Sequence, residues 1–369
     1  MAEMPLLGDC HEVHELARLH PIHTLTVSVE TRRGIDLSRD RCWTDRHDRH
    51  HTNPCTLPDG DRQGAERATG SDPLTALKDA HDPDNFFPRE RGQRDQRKVA
   101  TMHNTPEATP LEVHARGAAD DPVAVLIHST GINGAEMVDR FSLAVPGYHV
   151  LAPDRTNYGT SRRSSPGGSG RSNGHVPEVV MVEDEAKEIA TILGGGAHVV
   201  GYSYGGIVAL TIASRQPRLV RSLTLLEPPA FQLLPDDPDV ASTLAKVASA
   251  IGTVYDNPTD YFAAFMSSAF GETFRVPLDL IPIERKVAAM REQVAWDVDL
   301  DLCPIADAQI PTLVICGDWD PGFIAPSRHL ARELSARLVE YAGASHFFDE
   351  RWSDIANEIE GLWRAVDEE

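Results

Sequence analysis

The residues most clearly suited to chemistry lie in the stretch Gly201-Tyr202-Ser203-Tyr204-Gly205, between a short apolar run and a segment of helix-forming residues. The pattern predicts a strand, a sharp turn and a helix, with Ser203 at the tip of the turn. Such a turn strains the backbone of the serine, and glycine two residues before and after it avoids a collision with neighbouring backbone. Ser203 is therefore a candidate nucleophile, and the backbone N–H of Tyr204 can donate to an oxyanion beside it.

A serine hydroxyl is a poor nucleophile at neutral pH, so it needs a base that removes its proton as it attacks. His346 is the candidate base. It lies in a loop of small residues just after the predicted strand 337–341. We expect this loop to reach over the carboxyl edge of a sheet and to bring His346 to Ser203.

The imidazole base needs a carboxylate on its far nitrogen, which holds one tautomer and stabilises the positive charge. Three carboxylates are placed at strand ends from which they can serve. Asp318 and Asp320 follow the predicted strand that ends at Cys316, and Glu227 follows the preceding strand. The residue types and their positions leave this choice open.

The elements that must position these residues alternate between strands and helices. Near-continuous apolar strands with crossover helices are typical of a mostly parallel sheet with helices on both faces, which is an α/β fold. In such sheets, functional residues collect at the carboxyl ends of the strands. The predicted strands are 111–114, 123–128, 148–153, 197–202, 222–226, 311–316 and 337–341, and the helices between and after them are 135–145, 177–193, 204–215 and 352–365.

A helical segment interrupts this alternation after the strand 222–226. We predict an α/β core over 102–229 and 303–369, and a helical cap over 230–302 with helices near 238–251, 258–270 and 283–296. The cap is expected to cover the carboxyl ends of the strands and to close a largely apolar pocket. Its large apolar side chains either pack against one another or line that pocket; they include Phe262, Phe265, Met266, Phe270 and Trp296.

Residues 1–101 differ in composition from the rest of the chain. They hold eight of the sixteen histidines and have few apolar runs beyond 22–29. Charge-rich sequence of low hydrophobicity predicts disorder. A second hypothesis is that this segment is a mis-assigned upstream extension, because Met102 opens a run that resembles the ordinary start of an enzyme.

The cysteines and histidines of residues 39–55 do not favour a metal site. Compact zinc modules use paired C-x-x-C and H-x-x-x-H intervals, which this stretch lacks. The residues concerned are Cys42, His47, His50, His51 and Cys55. We therefore expect no metal, and free thiols throughout the chain.

The charge of the chain restricts its partners. The formal net charge of the 369 residues is −21, and residues 1–101 account for −3 of it. This acidity argues against nucleic acid and against anionic membranes as partners, because both would be repelled. The sequence has no apolar run of the ~18 residues that a membrane span needs, and its amino terminus lacks the pattern of a signal peptide. We expect a cytoplasmic protein; its oligomeric state is left open.

Residues 109–369 resemble the α/β-hydrolase family with a helical cap inserted after the sixth strand. Beyond the stretch around Ser203, the resemblance rests on His128-Ser-Thr-Gly, on the run 154–161, on Gly317-Asp-Trp-Asp and on Gly343-Ala-Ser-His-Phe. The family order of nucleophile, acid and histidine is the order found here.

The resemblance implies roles for particular residues. His346 occupies the position of the family's catalytic histidine, and Asp320, at the fourth position of Gly317-Asp-Trp-Asp, that of the acid. Glu227 is the alternative acid, because some members of the family place their acid there. The resemblance also implies Thr130 as the second oxyanion donor beside Tyr204, although serine replaces the usual glycine before it.

The function that the resemblance implies is a serine hydrolase that acts on a small or medium-sized apolar ester, lactone or related carbonyl compound through an acyl-enzyme. No cofactor is implied. A serine at the turn argues against haloalkane dehalogenases and epoxide hydrolases, which use aspartate there. The alternatives are a C–C bond hydrolase or a cofactor-free perhydrolase on the same triad and, from another class, a small-ligand-binding protein with an idle triad.

Overall fold

A computed structural model of the chain describes residues 23–27, 111–140, 145–159, 179–251, 253 and 255–368. The strands are β1 (His23–Val27), β2 (Leu111–Arg116), β3 (Val123–Ile127), β4 (His149–Pro153), β5 (Ala197–Tyr202), β6 (Val220–Leu226), β7 (Thr312–Gly317) and β8 (Arg337–Tyr341). The α-helices are α1 (Gly134–Arg140), α2 (Val182–Ala190), α3 (Tyr204–Arg215), α4 (Pro238–Ile251), α5 (Pro258–Phe270), α6 (Ile283–Arg291), α7 (Cys303–Asp307), α8 (Pro321–Glu333) and α9 (Trp352–Asp367).

The strands form one sheet in the order β1-β2-β4-β3-β5-β6-β7-β8. All pairs from β4 to β8 are parallel, whereas β2 runs antiparallel to both β1 and β4. The carboxyl ends of β5, β6, β7 and β8 are thus neighbours at one edge of the sheet. This mostly parallel sheet with helices on its faces is the predicted fold class.

The apolar strands are buried on both faces because each contributes alternate side chains to two separate cores. In β3, Val125 and Ile127 pack into a core that also contains side chains of α2, α3, α4 and α8. Ala124 and Leu126 pack into the opposite core, with side chains of α1 and α9. The sheet is therefore a middle layer between two layers of helices.

The five residues of β1 lie inside the segment 1–101. They fall within the apolar run 22–29, and Leu25 is opposite Val113 of β2. These five residues extend the sheet by an edge strand that the sequence analysis did not assign. The rest of the segment, including the residues considered for a metal site, lies outside the described residues, so the expectation of disorder or mis-assignment stays a prediction.

The segment between β6 and β7 is helical, as predicted. Helices α4 and α5 have the predicted bounds, but α6 ends at Arg291 and not at 296. Glu292 has extended backbone, with φ −65° and ψ 136°, and forms an isolated parallel bridge with Val180. This bridge ends the helix and fixes the position of Glu292.

Among the described residues, no helix is long and apolar enough to cross a membrane. Cys316 is a buried free thiol in β7, as expected for a small apolar side chain in a central strand. Cys303 is also free and partly buried.

Candidate active site

Ser203 lies at the sharp turn between β5 and α3 that the sequence predicts. Its backbone has φ 52° and ψ −119°, a conformation that non-glycine residues rarely adopt. The turn is held on both sides: the N–H of Ser203 donates to the carbonyl of Leu226 over 2.8 Å, and its carbonyl accepts from the N–H of Gly206 over 2.8 Å. The strain is thus fixed by hydrogen bonds to β6 and α3.

The two glycines beside Ser203 are required by close backbone contacts. A Cβ on Gly201 would lie 2.5 Å from the carbonyl oxygen of Gly205. A Cβ on Gly205 would lie 2.2 Å from the carbonyl oxygen of Ile127 in β3. Both distances are below any real Cβ contact, so a side chain at either position would displace the turn.

His346 reaches Ser203 from the loop after β8. Its Nε2 is 3.0 Å from Ser203 Oγ, and its side chain is buried. Two contacts fix the ring and its backbone. The phenyl ring of Phe270 stacks on the imidazole with 4.6 Å between the centroids, and the Tyr202 hydroxyl donates to the His346 carbonyl over 3.0 Å.

Glu227 is the carboxylate that contacts His346. Glu227 Oε2 lies 2.6 Å from His346 Nδ1. The carboxylate is fully buried, and it also accepts from the N–H of Gly317 over 2.6 Å and from Trp319 Nε1 over 3.0 Å. Because an ionised carboxylate only accepts hydrogen bonds, Nδ1 carries a proton and the lone pair of Nε2 faces Ser203 Oγ.

The preference for Asp320 as the acid is therefore corrected. Asp320 caps the amino terminus of α8, where its Oδ1 accepts from the N–H of Gly322 over 2.9 Å and from Thr243 Oγ1 over 2.8 Å. Its Oδ2 accepts from Lys246 Nζ over 2.8 Å. Burial opposes ionisation, but the hydrogen bonds from Lys246 and Thr243 lower the pKa of Asp320. Asp320 thus links α8 to α4, while the rival Glu227 faces the histidine.

Asp318, the third carboxylate considered as the acid, is exposed and accepts from the N–H of Gly343 over 2.7 Å. Asn157, which lies in the run 154–161 named in the sequence analysis, has φ 71°, a value that asparagine tolerates.

The loop after β3 contains the residues expected to complete an oxyanion site. Ser129, Thr130 and Tyr204 line the same cavity as Ser203. His128 supports this loop: its Nδ1 donates to the carbonyl of Ser129 over 2.8 Å, and its Nε2 accepts from the N–H of Arg155 over 3.0 Å. Burial lowers the pKa of His128 to about 3, so the ring is neutral. The role of Thr130 as a donor stays an expectation.

A cavity opens over Ser203 and His346; its empty space, together with the open solvent at its mouth, is about 780 Å³. Most of its wall comes from the segment between β6 and β7, which contributes apolar side chains. Among them are Val247, Ile251, Tyr261, Phe265, Met266, Phe270, Val294 and Trp296. Phe262, by contrast, is fully buried and is absent from the wall.

The sequence analysis did not identify a buried ionic network beside this cavity. Arg155 is fully buried and ion-pairs with Glu292, which lines the cavity, and with Glu185, whose Oε1 lies 3.5 Å from Arg155 Nε. These two carboxylates raise the pKa of Arg155, although burial opposes this. Tyr204 stacks its ring on the guanidinium at 4.3 Å. A buried arginine gives no periodic or spacing signal, and Glu292 meets it only through the tertiary fold.

The comparisons with known proteins agree with the fold. The model of the Alpha/beta hydrolase family matches residues 124–358. Two relatives carry the name putative carbamate hydrolase RutD. The one from Pseudomonas syringae pv. syringae is 30% identical over 119 residues. The matched part is 31% of this chain and 42% of that relative's length. The one from Pseudomonas savastanoi pv. phaseolicola is 27% identical over 64% of this chain and 93% of the relative.

A solved structure shares the fold. It is the malate-bound structure of a thermophilic esterase from Thermogutta terrifontis, and the two sequences are 21% identical. The match covers 74% of this chain and 99% of the esterase chain, with a TM-score of 0.52. The family model covers well over half of the 369 residues and includes Ser203, Glu227 and His346. The chain belongs to the α/β-hydrolase family.

Proposed function

We propose that this chain is a serine hydrolase that cleaves small or medium-sized, mainly apolar esters or related carbonyl compounds through an acyl-enzyme. The observation that carries the proposal is the hydrogen-bonded series Ser203, His346 and Glu227, with 3.0 Å and 2.6 Å between the paired atoms. This is the arrangement that nucleophilic catalysis by serine requires.

In the first half of the reaction, Ser203 Oγ attacks the carbonyl carbon while His346 Nε2 takes the hydroxyl proton. The imidazolium that forms is stabilised by Glu227 through Nδ1–H. The carbonyl π electrons move to oxygen, and the N–H groups of Tyr204 and Thr130 stabilise the oxyanion. When the intermediate collapses, the bond to the leaving group breaks and His346 Nε2 gives its proton to that group.

The second half repeats these steps with water. His346 Nε2 removes a proton from a water molecule, which attacks the acyl carbon of the ester on Ser203. Collapse of the second tetrahedral intermediate returns the proton to Ser203 Oγ and releases the acid. All protons are accounted for by one imidazole, so the scheme needs no further reactant.

The lining of the cavity supports the proposed class of substrate. Its predominantly apolar wall favours burial of the acyl or alkyl groups of an ester. The relatives named putative carbamate hydrolases make carbamates a second carbonyl class to test beside esters.

A fluorophosphonate probe tests the proposal, because it labels serines that are activated as nucleophiles. The wild-type chain is expected to be labelled and to hydrolyse p-nitrophenyl acetate, and Ser203→Ala is expected to lose both, with a loss of turnover on the order of 10⁶. Ser214→Ala is the matched control, because the buried Ser214 hydroxyl has no partner among the described residues. Labelling of Ser203→Ala would contradict Ser203 as the nucleophile. Absence of labelling of the wild type would contradict the mechanism and favour a ligand-binding role.

A further inference from the structure

Among the described residues that line the cavity, one carries a carboxylate, and the rest of the wall is mainly apolar. Glu292 belongs to the wall, and its side chain is 9% exposed. It is thus neither open to bulk solvent nor sealed from the cavity. Its backbone is fixed beside Val180: the N–H of Val180 donates to the Arg291 carbonyl over 2.7 Å, and the N–H of Gln293 donates to the Val180 carbonyl over 3.0 Å.

The two oxygens of Glu292 have different surroundings. Oε1 accepts from the Arg155 guanidinium and from the Tyr158 hydroxyl, the latter over 2.7 Å. Oε2 accepts from Thr130 Oγ1 over 2.6 Å, and Thr130 is its only donor among the described residues. A carboxylate oxygen can accept two hydrogen bonds, so Oε1 is fully used and Oε2 has capacity for one more.

The charge of Glu292 is balanced by Arg155. The Arg155 guanidinium is fully buried and ion-pairs with the Glu292 carboxylate. The fixed backbone and three donors also prevent the side chain from turning away. A rigid acceptor of this kind is already oriented for a ligand, which reduces the entropic cost of binding.

We propose that Glu292 Oε2 is a specificity-determining acceptor that selects substrates carrying a hydroxyl or N–H donor on the part that occupies the cavity. The inference rests on the proposed hydrolase function and narrows its substrates. A purely apolar group placed against Oε2 would remove water from a charged acceptor without forming a hydrogen bond in its place, whereas a donor group would replace the hydrogen bond from that water. An anionic group at the same place would be repelled.

A set of paired substrates tests the proposal on the wild-type chain. The substrates are p-nitrophenyl esters of octanoic acid in which a hydroxyl is moved along the chain, each compared with its methoxy analogue. Positions that would close a five- or six-membered lactone are left out. For at least one position, kcat/KM is expected to favour the hydroxyl by about 10- to 100-fold, the range for a hydrogen bond to a charged acceptor.

The variant Glu292→Gln gives a readout that a merely structural role would not produce. Arg155 and Tyr158 both donate toward Oε1, so the amide oxygen is expected to take that place and the amide NH₂ to take the place of Oε2. The cavity then offers a donor, and because hydroxyl and methoxy oxygens can both accept from it, the hydroxyl preference at the same position should be lost. Glu183→Gln is the matched control, because Glu183 pairs with Arg215 away from the cavity wall, and it should keep the wild-type ratio.

The outcomes separate this inference from the proposed function. If the wild type hydrolyses p-nitrophenyl acetate and is labelled at Ser203, but no position shows a hydroxyl preference, the inference fails and the hydrolase function stands. If Glu292→Gln lowers kcat for every ester by one factor and leaves all ratios unchanged, Glu292 only positions Thr130, and the inference fails too. If neither labelling nor hydrolysis is seen, the proposed function itself is wrong, and the inference falls with it.

Discussion

Glu227 Oε2 and His346 Nδ1 lie 2.6 Å apart although 119 residues separate them in the chain. The contact exists because Glu227 directly follows β6 with φ 42°, and because β7, which lies between β6 and β8, donates the N–H of Gly317 to the same carboxylate. One side chain thus joins three neighbouring strand ends at the candidate active site.

The first prediction separates Glu227 from Asp320. Glu227→Gln is expected to lower kcat by about 10⁴-fold, because an amide in that place can favour the wrong tautomer of His346. Asp320→Asn should stay close to wild-type activity, since Asp320 contacts Thr243 and Lys246 and asparagine also caps helices well. Steady-state kinetics with p-nitrophenyl acetate measures both. The opposite order of severity would return the acid to Asp320.

The second prediction concerns the strain at Ser203. With φ 52° and ψ −119°, this residue has a backbone conformation that costs about 1–3 kcal/mol for a side-chain-bearing residue and little for glycine. Glycine relieves this strain but has a larger entropy in the unfolded state, which offsets part of the gain. The free energy of unfolding of Ser203→Gly should therefore exceed that of Ser203→Ala by about 1 kcal/mol. Thermal unfolding should show this as a Tm difference of about 2–4 °C.

A matched pair at Ser214 controls for the general effect of glycine. Ser214 lies in the regular part of α3, where glycine is less favourable than alanine. Ser214→Gly should accordingly be less stable than Ser214→Ala, which is the opposite sign. Equal signs at both positions would mean that the turn at Ser203 is not strained.

The sequence could predict those parts of the site that depend on local structure. The turn at Ser203 needs only a strand, a helix and the two glycines, so its residues and the bounds of α3 follow from the pattern. His346 follows in the same way from its place after β8. Both depend on backbone geometry that short stretches of sequence encode.

The carboxylates could not be assigned in this way. Glu227 and Asp320 both follow strands whose ends are neighbours, and their spacing in the chain does not show which one turns toward His346. The difference arises from Thr243 and Lys246 of α4, which hold Asp320 away. Glu292 is an extreme case, because its role depends on contacts with Arg155, Tyr158 and Thr130 from two distant loops.

The third prediction concerns the apolar wall of the cavity. Each methylene buried there is worth about 0.8 kcal/mol, or roughly a fourfold gain in kcat/KM per carbon until the cavity is full. Phe265→Ala and Trp296→Ala enlarge the cavity and should shift the optimum to longer acyl chains, while p-nitrophenyl acetate is still cleaved. A series of p-nitrophenyl esters from acetate to dodecanoate measures the profile. If neither variant changes it, these aromatic side chains do not contact the acyl group.

The last prediction concerns pH and the buried Glu185. Burial raises the pKa of Glu185 to about 7 from an ordinary value of 4.5. The positive charge of Arg155 opposes this shift, whereas the nearby carboxylates of Glu292 and Glu188 add to it. Between about pH 4.5 and pH 7, the folded chain therefore binds more protons at Glu185 than the unfolded chain does. The stability that this site contributes is therefore complete below about pH 4.5, and it is lost as the pH rises through about 7.

This linkage is expected to reach roughly 3 kcal/mol in the free energy of unfolding. Glu185→Gln removes the titration, and its amide oxygen can still accept from the N–H of Thr156. Denaturant unfolding of both proteins between about pH 5 and 8 should show the wild type losing stability relative to Glu185→Gln as the pH rises. Glu183→Gln, on the same helix but partly exposed, should follow the wild type at every pH. A constant difference between wild type and Glu185→Gln would mean that Glu185 stays ionised across this range, stabilised by Arg155 despite its burial.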